Sequence, residues 1–319
     1  MDLSVVLCTW NNSERLSLTL EALSRCVVPP GLTWELVVVN NNCTDETDRV
    51  VGGFAGRLPL VYVREPRQGL SAARNRGLTA SRGALAIFTD DDITPSQRWL
   101  AAYWEAHQAK RQGYFFGGPV DSAYEGFEPE AALVRVAPYS VKGLDWGAVA
   151  RTLRRNEALI GANWACPREA ALAVGCFDEA TGLNPASGRI RTADETDLMR
   201  RLIHAGLTAY YLPEARVAHR VSRDKCSLGH IAARVEATKY YWATVEARDL
   251  RGRVPRWQHL CAAELSAVNR WLTWVWARAR RSHPYREYVE WRGAVGAARA
   301  LRDSLRAPRA VPANTRPGT

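Results

Sequence analysis

Residues 84–92 read ALAIFTDDD, an apolar run that ends abruptly in three aspartates. A run of that length and composition reads as a strand buried on both faces of a parallel sheet. Three adjacent carboxylates at its end repel one another, and nothing in a fold requires them. Taken alone, Asp90-Asp91-Asp92 is a solvated acidic turn with a helix cap at Asp92 or Thr94. Directly after a buried strand the triplet acquires a second meaning, because ligands of doubly wound sheets bind beyond the carboxyl ends of the strands. A divalent cation prefers hard carboxylate oxygens, shares phosphate oxygens, and removes the repulsion.

The chain on the N-terminal side repeats a strand-then-helix rhythm. Leu3–Cys8 is an apolar, β-branched run, followed by a helix start at 11–13 with Leu16, Leu20 and Leu23 at helical spacing. Glu35–Val39 is a second strand. It ends in Asn40-Asn41-Asn42, and Thr44–Thr47 opens a helix. Leu60–Arg64 makes a third strand, and Gly69–Ser81 a helix before the strand of Ala84–Phe88. Four such units predict an α/β fold with a Rossmann-like, doubly wound, mostly parallel sheet. Thr9-Trp10-Asn11, Asn40-Asn41-Asn42 and Asp90-Asp91-Asp92 then converge at one sheet edge, where the ligand should sit.

On the C-terminal side a helix is predicted over 96–112, then one Gly-rich strand, Tyr114–Val120. Residues 121–158 are weakly periodic and read as an excursion flanking the site. A strand and helix follow in 161–179, and a loop at 180–192 leads to Asp194-Glu195-Thr196-Asp197, which opens a helix. Short strands are expected at 209–212 and 217–218, and mainly helix from Ser227 onward. The layout is thus an α/β part over 1–222, divided at 95/96, a basic Trp-rich helical extension over 223–305, and a mobile tail over 306–319.

Bulk composition narrows the class. With 47% hydrophobic and 24% charged residues the 319-residue chain is globular, with disorder confined to the tail. Seven cysteines, odd in number and with no CxxC pair, argue against a disulfide framework or structural zinc and for a reducing cytoplasm. The N-terminus lacks the basic start of a signal peptide, and no apolar stretch approaches the ~18 residues of a membrane span. The net charge of +10 is uneven: −2 over 1–219 and +12 over 220–319. Such asymmetry marks a surface that meets an anionic partner. Trp271, Leu272, Trp274 and Val275 beside Arg270, Arg278, Arg280 and Arg281 suggest a helix at a membrane surface, against the plainer reading of tryptophans packed inward and arginines left in water.

Three further groups carry chemistry. Asp194 to Asp197 stabilise a helix dipole in their plainest role, and beside a nucleotide site an acid here could serve as general base. Residues 69–77, GLSAARNRG, lack both the Walker pattern and the dinucleotide fingerprint, yet their arginines and Asn75 can reach a diphosphate or brace the site. His219 follows a short strand, a weak metal-ligand signal by itself.

In sequence, these segments resemble family 2 glycosyltransferases over about residues 3–221. SVVLCTWNNSERL resembles their opening strand and nucleotide loop, ELVVVNNNCTDET the second strand and its turn, and GLSAARNRGLTASRGALAIFTDDD the helix and metal-binding strand end. GANWACPREAALAVGCFDE is similar to the acceptor-side segment, TADETDLMRRLIHAG to the base motif, and YYLPEARVAHRV to the strand and histidine that close the site. The resemblance implies a GT-A fold and an inverting transfer from a nucleoside-diphosphate-sugar with Mn²⁺ or Mg²⁺. It places Thr9 and Asn40, with their neighbours Asn11 and Asn42, at the nucleobase side, and Arg74 near the ribose and phosphates. Asp90 and Asp91 would serve the nucleotide, Asp92 with Asp90 and His219 the metal, and Glu195 or Asp194 would be the base. The acceptor would be a glycan, a lipid-linked sugar or a small molecule. Two departures stand out: Asp194-Glu195 replaces the usual Glu-Asp, and Asn40 replaces the commoner Asp that reads uracil. The rivals are a non-catalytic nucleotide-sugar binder and a nucleotidyltransferase, which would want a Gly-rich basic loop after the first strand. A nucleic-acid binder lacks zinc spacing, an RNP signature or a Lys-rich arm, so no nucleic acid partner is expected.

Overall fold

A computed structural model describes residues 1–110, 112–154, 157–188, 190–249, 256–280 and 283–306. The chain divides into two compact units, Met1–Ile231 and the part from Ala232 on. Most of the tail expected to be mobile, residues 307–319, lies outside the described residues.

The first half of the first unit follows the strand–helix rhythm of its sequence. β1 (Leu3–Thr9), α1 (Ser13–Leu23), β2 (Trp34–Asn40), α2 (Thr47–Gly52), β3 (Leu60–Arg64), α3 (Leu70–Ala80) and β4 (Leu85–Asp90) alternate along the chain. β3, β2, β1 and β4 lie side by side and parallel. Strand alternation sorts the side chains onto two faces. Leu3, Val5 and Leu7 meet Leu16, Leu20 and Leu23 of α1 on one face. Val6, Cys8, Val37 and Val39 meet Ala73 and Leu78 of α3 on the other. With both faces covered, the strands read as apolar runs without a polar alternation.

After β4 comes β5 (Ile93–Pro95), then α4 (Trp99–Lys110). The single strand expected over Tyr114–Val120 is instead two, β6 (Tyr114–Gly117) and β7 (Val120–Tyr124), which belong to different sheets. The break falls at Gly118, where a Cβ would stand 1.9 Å from the carbonyl oxygen of Ala215. Backbone approach that close admits only glycine. The excursion over 121–158 contains α5 (Ala131–Val136), α6 (Tyr139–Lys142) and β8 (Arg151–Thr152). β9 (Asn163–Pro167), α7 (Arg168–Ala173), α8 (Asp194–His204), β10 (Thr208–Tyr211) and β11 (Val217–Val221) complete the unit's sheets and their covering helices.

The large sheet has the order β3-β2-β1-β4-β9-β6-β10-β8, with β9 antiparallel to β4 and β6. A second sheet, β5-β11-β7, sets His219 opposite Ile93 in register. The second unit is helical: most of α9 (Leu228–Asp249), α10 (Arg256–Arg280) and α11 (Tyr285–Arg306). Trp274 of α10 stacks on Trp291 of α11 at 5.2 Å, so it belongs to the side of α10 that packs on α11, where it is half-buried.

Asn163 is the polar hub between the layers. It is fully buried, and its Oδ1 accepts from Trp99 Nε1 (2.9 Å) and Tyr103 Oη (2.8 Å) of α4. Its Nδ2 donates to the carbonyls of Pro119 (3.0 Å) and Ala215 (2.6 Å). All four partners are buried, so a substitution orphans each of them. Asn163→Leu is expected to lower stability by at least about 3 kcal/mol in denaturant unfolding followed by circular dichroism; a loss under about 1 kcal/mol would mean the hub carries little.

Candidate active site

The register of the parallel strands brings the polar strand ends together. Thr9 pairs with Asn40, Asn40 with Arg64, and Cys8 with Asp90, all at one edge. Asp90, the last residue of β4, therefore sits beside the end of β1. The chain then turns into β5, and β11 returns antiparallel to it. Arg220 N–H donates to the carbonyl of Asp92 at 2.8 Å, which brings His219 within reach of the aspartates. Asp92 Oδ1 faces His219 Nε2 at 3.2 Å, and Asp92 Oδ2 accepts from Lys225 Nζ at 2.9 Å. Burial opposes the charge on Asp92, but His219 and Lys225 outweigh it and hold the carboxyl well below the usual range.

Asp90, Asp92 and His219 each offer a ligand atom, and these atoms lie within 4.8 Å of one another. Asp92 Oδ1 is buried and accepts no well-aligned hydrogen bond. Two carboxylates and an imidazole with such an orphaned oxygen suit a hard or borderline divalent ion such as Mg²⁺ or Mn²⁺. Asp91 points elsewhere: Asn12 Nδ2 donates to its Oδ1 at 2.6 Å, and desolvation with the neighbouring Asp92 charge pushes its carboxyl up to about 7.

Across from the triplet, Arg74 of α3 is buried among acids. Its Nη1 donates to Asp194 Oδ2 at 2.5 Å, and its Nη2 reaches Asp90 Oδ1 at 3.2 Å and the carbonyl of Gly161 at 3.3 Å. Glu195 lies farther off, 4.0 Å from Arg74 Nη1. The two acids of the base motif are thereby separated in character. Burial raises Asp194, but the Arg74 charge prevails and holds it low. Burial and the Asp194 charge push Glu195 up to about 8. Gly161 makes room for both: a Cβ there would stand 3.1 Å from Arg74 Nη2 and 3.2 Å from Glu195 Cδ. Ala193, just before the pair, takes a left-handed backbone at φ 77°, which costs a non-glycine residue of order 1 kcal/mol. α8 begins there, with Asp194, Glu195 and Asp197 in its first turn.

The expected nucleobase residues lie at the same edge with internal duties. Asn40 Nδ2 donates to Asp48 Oδ1 (3.1 Å) and Tyr62 Oη (2.8 Å), and its Oδ1 accepts from Cys43 N–H (2.8 Å). Asn11 and Asn42 occupy left-handed turn positions at φ 47° and 62°. Asn11 Oδ1 accepts from Thr44 N–H, and Asn42 Nδ2 donates to the Pro66 carbonyl. Thr9 is buried at the strand end.

Arg74, Asp90, Asp92, Asp194, Glu195 and His219 thus gather around one edge from positions up to 145 residues apart in sequence. Sequence reading missed Lys225 and Asn12. Lys225 falls three residues after the expected end of the catalytic part at 222, and a lone lysine there carries no pattern. Asn12 was legible only as a helix-cap residue.

Comparisons with known proteins agree with this geometry. The model of the family described as "Glycosyl transferase family 2" matches residues 4–162. The succinoglycan biosynthesis protein ExoM of Rhizobium meliloti is 26% identical over 238 residues, covering 73% of this chain and 72% of ExoM. The pre-mycofactocin glycosyltransferase of Mycobacterium tuberculosis is 29% identical over 227 residues, covering 68% of this chain and 42% of that one. The chain spans less than half the length of several curated relatives that it matches. The mannosyltransferase PcManGT from Pyrobaculum calidifontis, solved with GDP-Man and Mn²⁺, superposes with a TM-score of 0.56 at 19% identity, over 93% of this chain and 85% of that one. The chain belongs to glycosyltransferase family 2 and is a glycosyltransferase of GT-A fold.

The electrostatics make a direct prediction. Removing a buried cation leaves its acids uncompensated, which is worse than never having built the pair. Arg74→Met is expected to cost about 3 kcal/mol or more at pH 8. The deficit should shrink toward pH 5, because without the arginine the acids' pKa values rise and protonation relieves the buried charge. In the wild type the sign is opposite: Asp194, held low, stabilises the fold above its ordinary range and loses that contribution only as pH falls through its depressed value. Denaturant unfolding of both proteins at the two pH values tests this; a deficit independent of pH would rule the charge account out.

Proposed function

We propose that this glycosyltransferase moves a sugar from a nucleoside-diphosphate-sugar to an acceptor hydroxyl by a single inverting displacement, with Mn²⁺ or Mg²⁺ bound by Asp90, Asp92 and His219. The observation that carries the reading is the pairing, at one sheet edge, of that ligand triad with a carboxylate of raised proton affinity, Glu195. Asp194 is held by Arg74, whereas Glu195 stands half-buried in the same cluster at the longer distance. Of the two acids, then, Glu195 takes the acceptor proton and Asp194 orients Arg74.

The division of labour follows from charge. Thr9, Asn11, Asn40, Asn42 and the end of β1 border the base and ribose side. Asp90 and Arg74 hold the nucleotide, and Lys225 offers an ammonium to the diphosphate. The bound metal, when present, neutralises charge on the departing diphosphate. Glu195 accepts the hydroxyl proton as the acceptor oxygen attacks the anomeric carbon from the side opposite the diphosphate. A desolvated carboxyl raised toward neutrality is a stronger base than an ordinary one. The likeness to a succinoglycan biosynthesis protein favours a glycan acceptor, with a lipid-linked sugar as the related alternative. A non-catalytic binder would have no use for an acid of raised proton affinity in the Arg74 cluster.

The donor site is tested by thermal unfolding against a panel of nucleoside diphosphates with and without Mn²⁺. One nucleotide at a hundred times its dissociation constant should add about 3 kcal/mol. That gain should require metal and vanish in Asp92→Ala. No shift in the wild type at millimolar nucleotide would return the protein to the status of a binder of something else. The base is tested kinetically. Glu195→Gln should lower kcat by about 10²–10⁴ while nucleotide affinity is kept. The wild-type rate should climb with pH through about 8, because the ionised form is the competent one. An unchanged pH profile in Glu195→Gln, together with a large loss in Asp194→Asn at equal stability, would move the role to Asp194.

A further inference from the structure

α10 has an outer side that the fold of its own unit leaves bare. Its inner side packs along α11 through Ala267, Trp274 and Ala277. At 100° per residue, Trp257, Leu265, Val268, Leu272 and Val275 fall on one stripe of the opposite side, bordered by Trp271 and Trp276. All are exposed, Leu265 at 71%, Trp257 at 58% and Leu272 at 53%. The stripe runs about 28 Å along the helix, since each residue rises 1.5 Å. An apolar stripe of that extent is costly in water and marks an interaction surface.

Charge indicates what covers it. Residues 232–319 hold seventeen Lys and Arg against seven Asp and Glu. Several of those acids are spent inside the unit: Glu236 on Arg292 and Arg299, Glu290 on Arg270 and Arg286, and Glu264, the acid nearest the stripe, on Arg302. At the C-terminal end of the stripe Arg278 lies over the Trp274 ring at 5.7 Å and Arg280 over the Trp276 ring at 4.0 Å. Aliphatic residues along the middle, tryptophans at the borders and guanidinium groups beside them are the features of a helix lying in the plane of a lipid interface. A second copy of the chain would bring two strongly basic units face to face, which their repulsion opposes. A nucleic acid would meet the arginines but has no use for Leu265, Val268 and Leu272.

We infer that the outer stripe of α10 is a docking surface for an anionic lipid bilayer, inserting its Leu, Val and Trp side chains at the headgroup boundary. The inference does not depend on the transfer chemistry, and its test reads no catalysis. The purified full chain is floated with vesicles of phosphatidylcholine and of phosphatidylcholine mixed with phosphatidylglycerol, alongside the double variant Leu265→Glu/Leu272→Glu. The wild type should float with the anionic vesicles alone, less so at high salt. The double variant should lose at least about tenfold in partitioning with its melting temperature unchanged, since both leucines are exposed. If that variant unfolds, Arg278→Gln/Arg280→Gln keeps the test open, through weaker flotation with a reduced salt dependence. Absence of flotation with anionic vesicles, equal flotation of the leucine variant, or equal flotation with neutral vesicles would each overturn the inference. So would a wild-type dimer in sedimentation that fails to float and that Leu265→Glu splits, which would make a second copy the occupant. A wild type that binds oligonucleotides but no vesicles overturns it as well.

Discussion

Arg74 lies buried where α3 faces the ends of β1 and β4, and it touches Asp90, Asp194, the Gly161 carbonyl and, at longer range, Glu195. Four segments meet at this one guanidinium: the strand end that carries Asp90, the helix that opens with Asp194 and Glu195, the loop before β9, and α3 itself. A planar fork with five donors can satisfy several acceptors at once, which an ammonium cannot. The same contact sorts the acids. The one bonded to Arg74 is kept ionised and fixed, and the one beside it is left with a raised proton affinity.

On the other side of Asp90 the balance is struck by different means. β5 and β11 form a small antiparallel pair, and their register delivers His219 to Asp92. Lys225, just beyond β11, reaches the second oxygen of the same carboxylate. Two clusters, each of acids gathered around basic groups, therefore share Asp90 as their border, one organised by Arg74 and one by His219 and Lys225. Asn163 keeps the layers behind them in place through four buried hydrogen bonds, so the segment that contains it serves as framework.

The contrast between Asp90-Asp91-Asp92 and Asp194-Glu195 shows how far local pattern reaches. The aspartate triplet was legible because carboxylates crowded at a buried strand end break a local rule, whereas Asp194-Glu195 follow the rule for a helix start and stood out only through the resemblance and the ligand edge. Local pattern alone did not separate the acids; the grouping of Asp92 with His219 came from the family resemblance. Asp91 turns to Asn12 while Asp92 turns to His219, though they are neighbours with the same side chain. Lys225 left no local signal at all, since its meaning comes from a strand pairing made some 130 residues earlier in the chain. The Tyr114–Val120 run failed as a single strand for a related reason: its composition is that of a strand, but the backbone of Ala215 crosses at Gly118 and splits it between two sheets.

The sequence by itself determined the alternation of buried strands and amphipathic helices, hence the doubly wound sheet and the edge at which ligands bind. These follow from periodicity and from the apolar run that a strand covered on both faces must have. It also determined that the charge excess lies in the last hundred residues. Only the tertiary structure decided that Arg74 separates Asp194 from Glu195, that Trp274 packs inward while Trp271 and Trp276 face out, and that His219 and Lys225 close on Asp92. Each of these depends on distances between segments far apart in the chain, and a pairwise electrostatic or packing contact has no counterpart in local residue order.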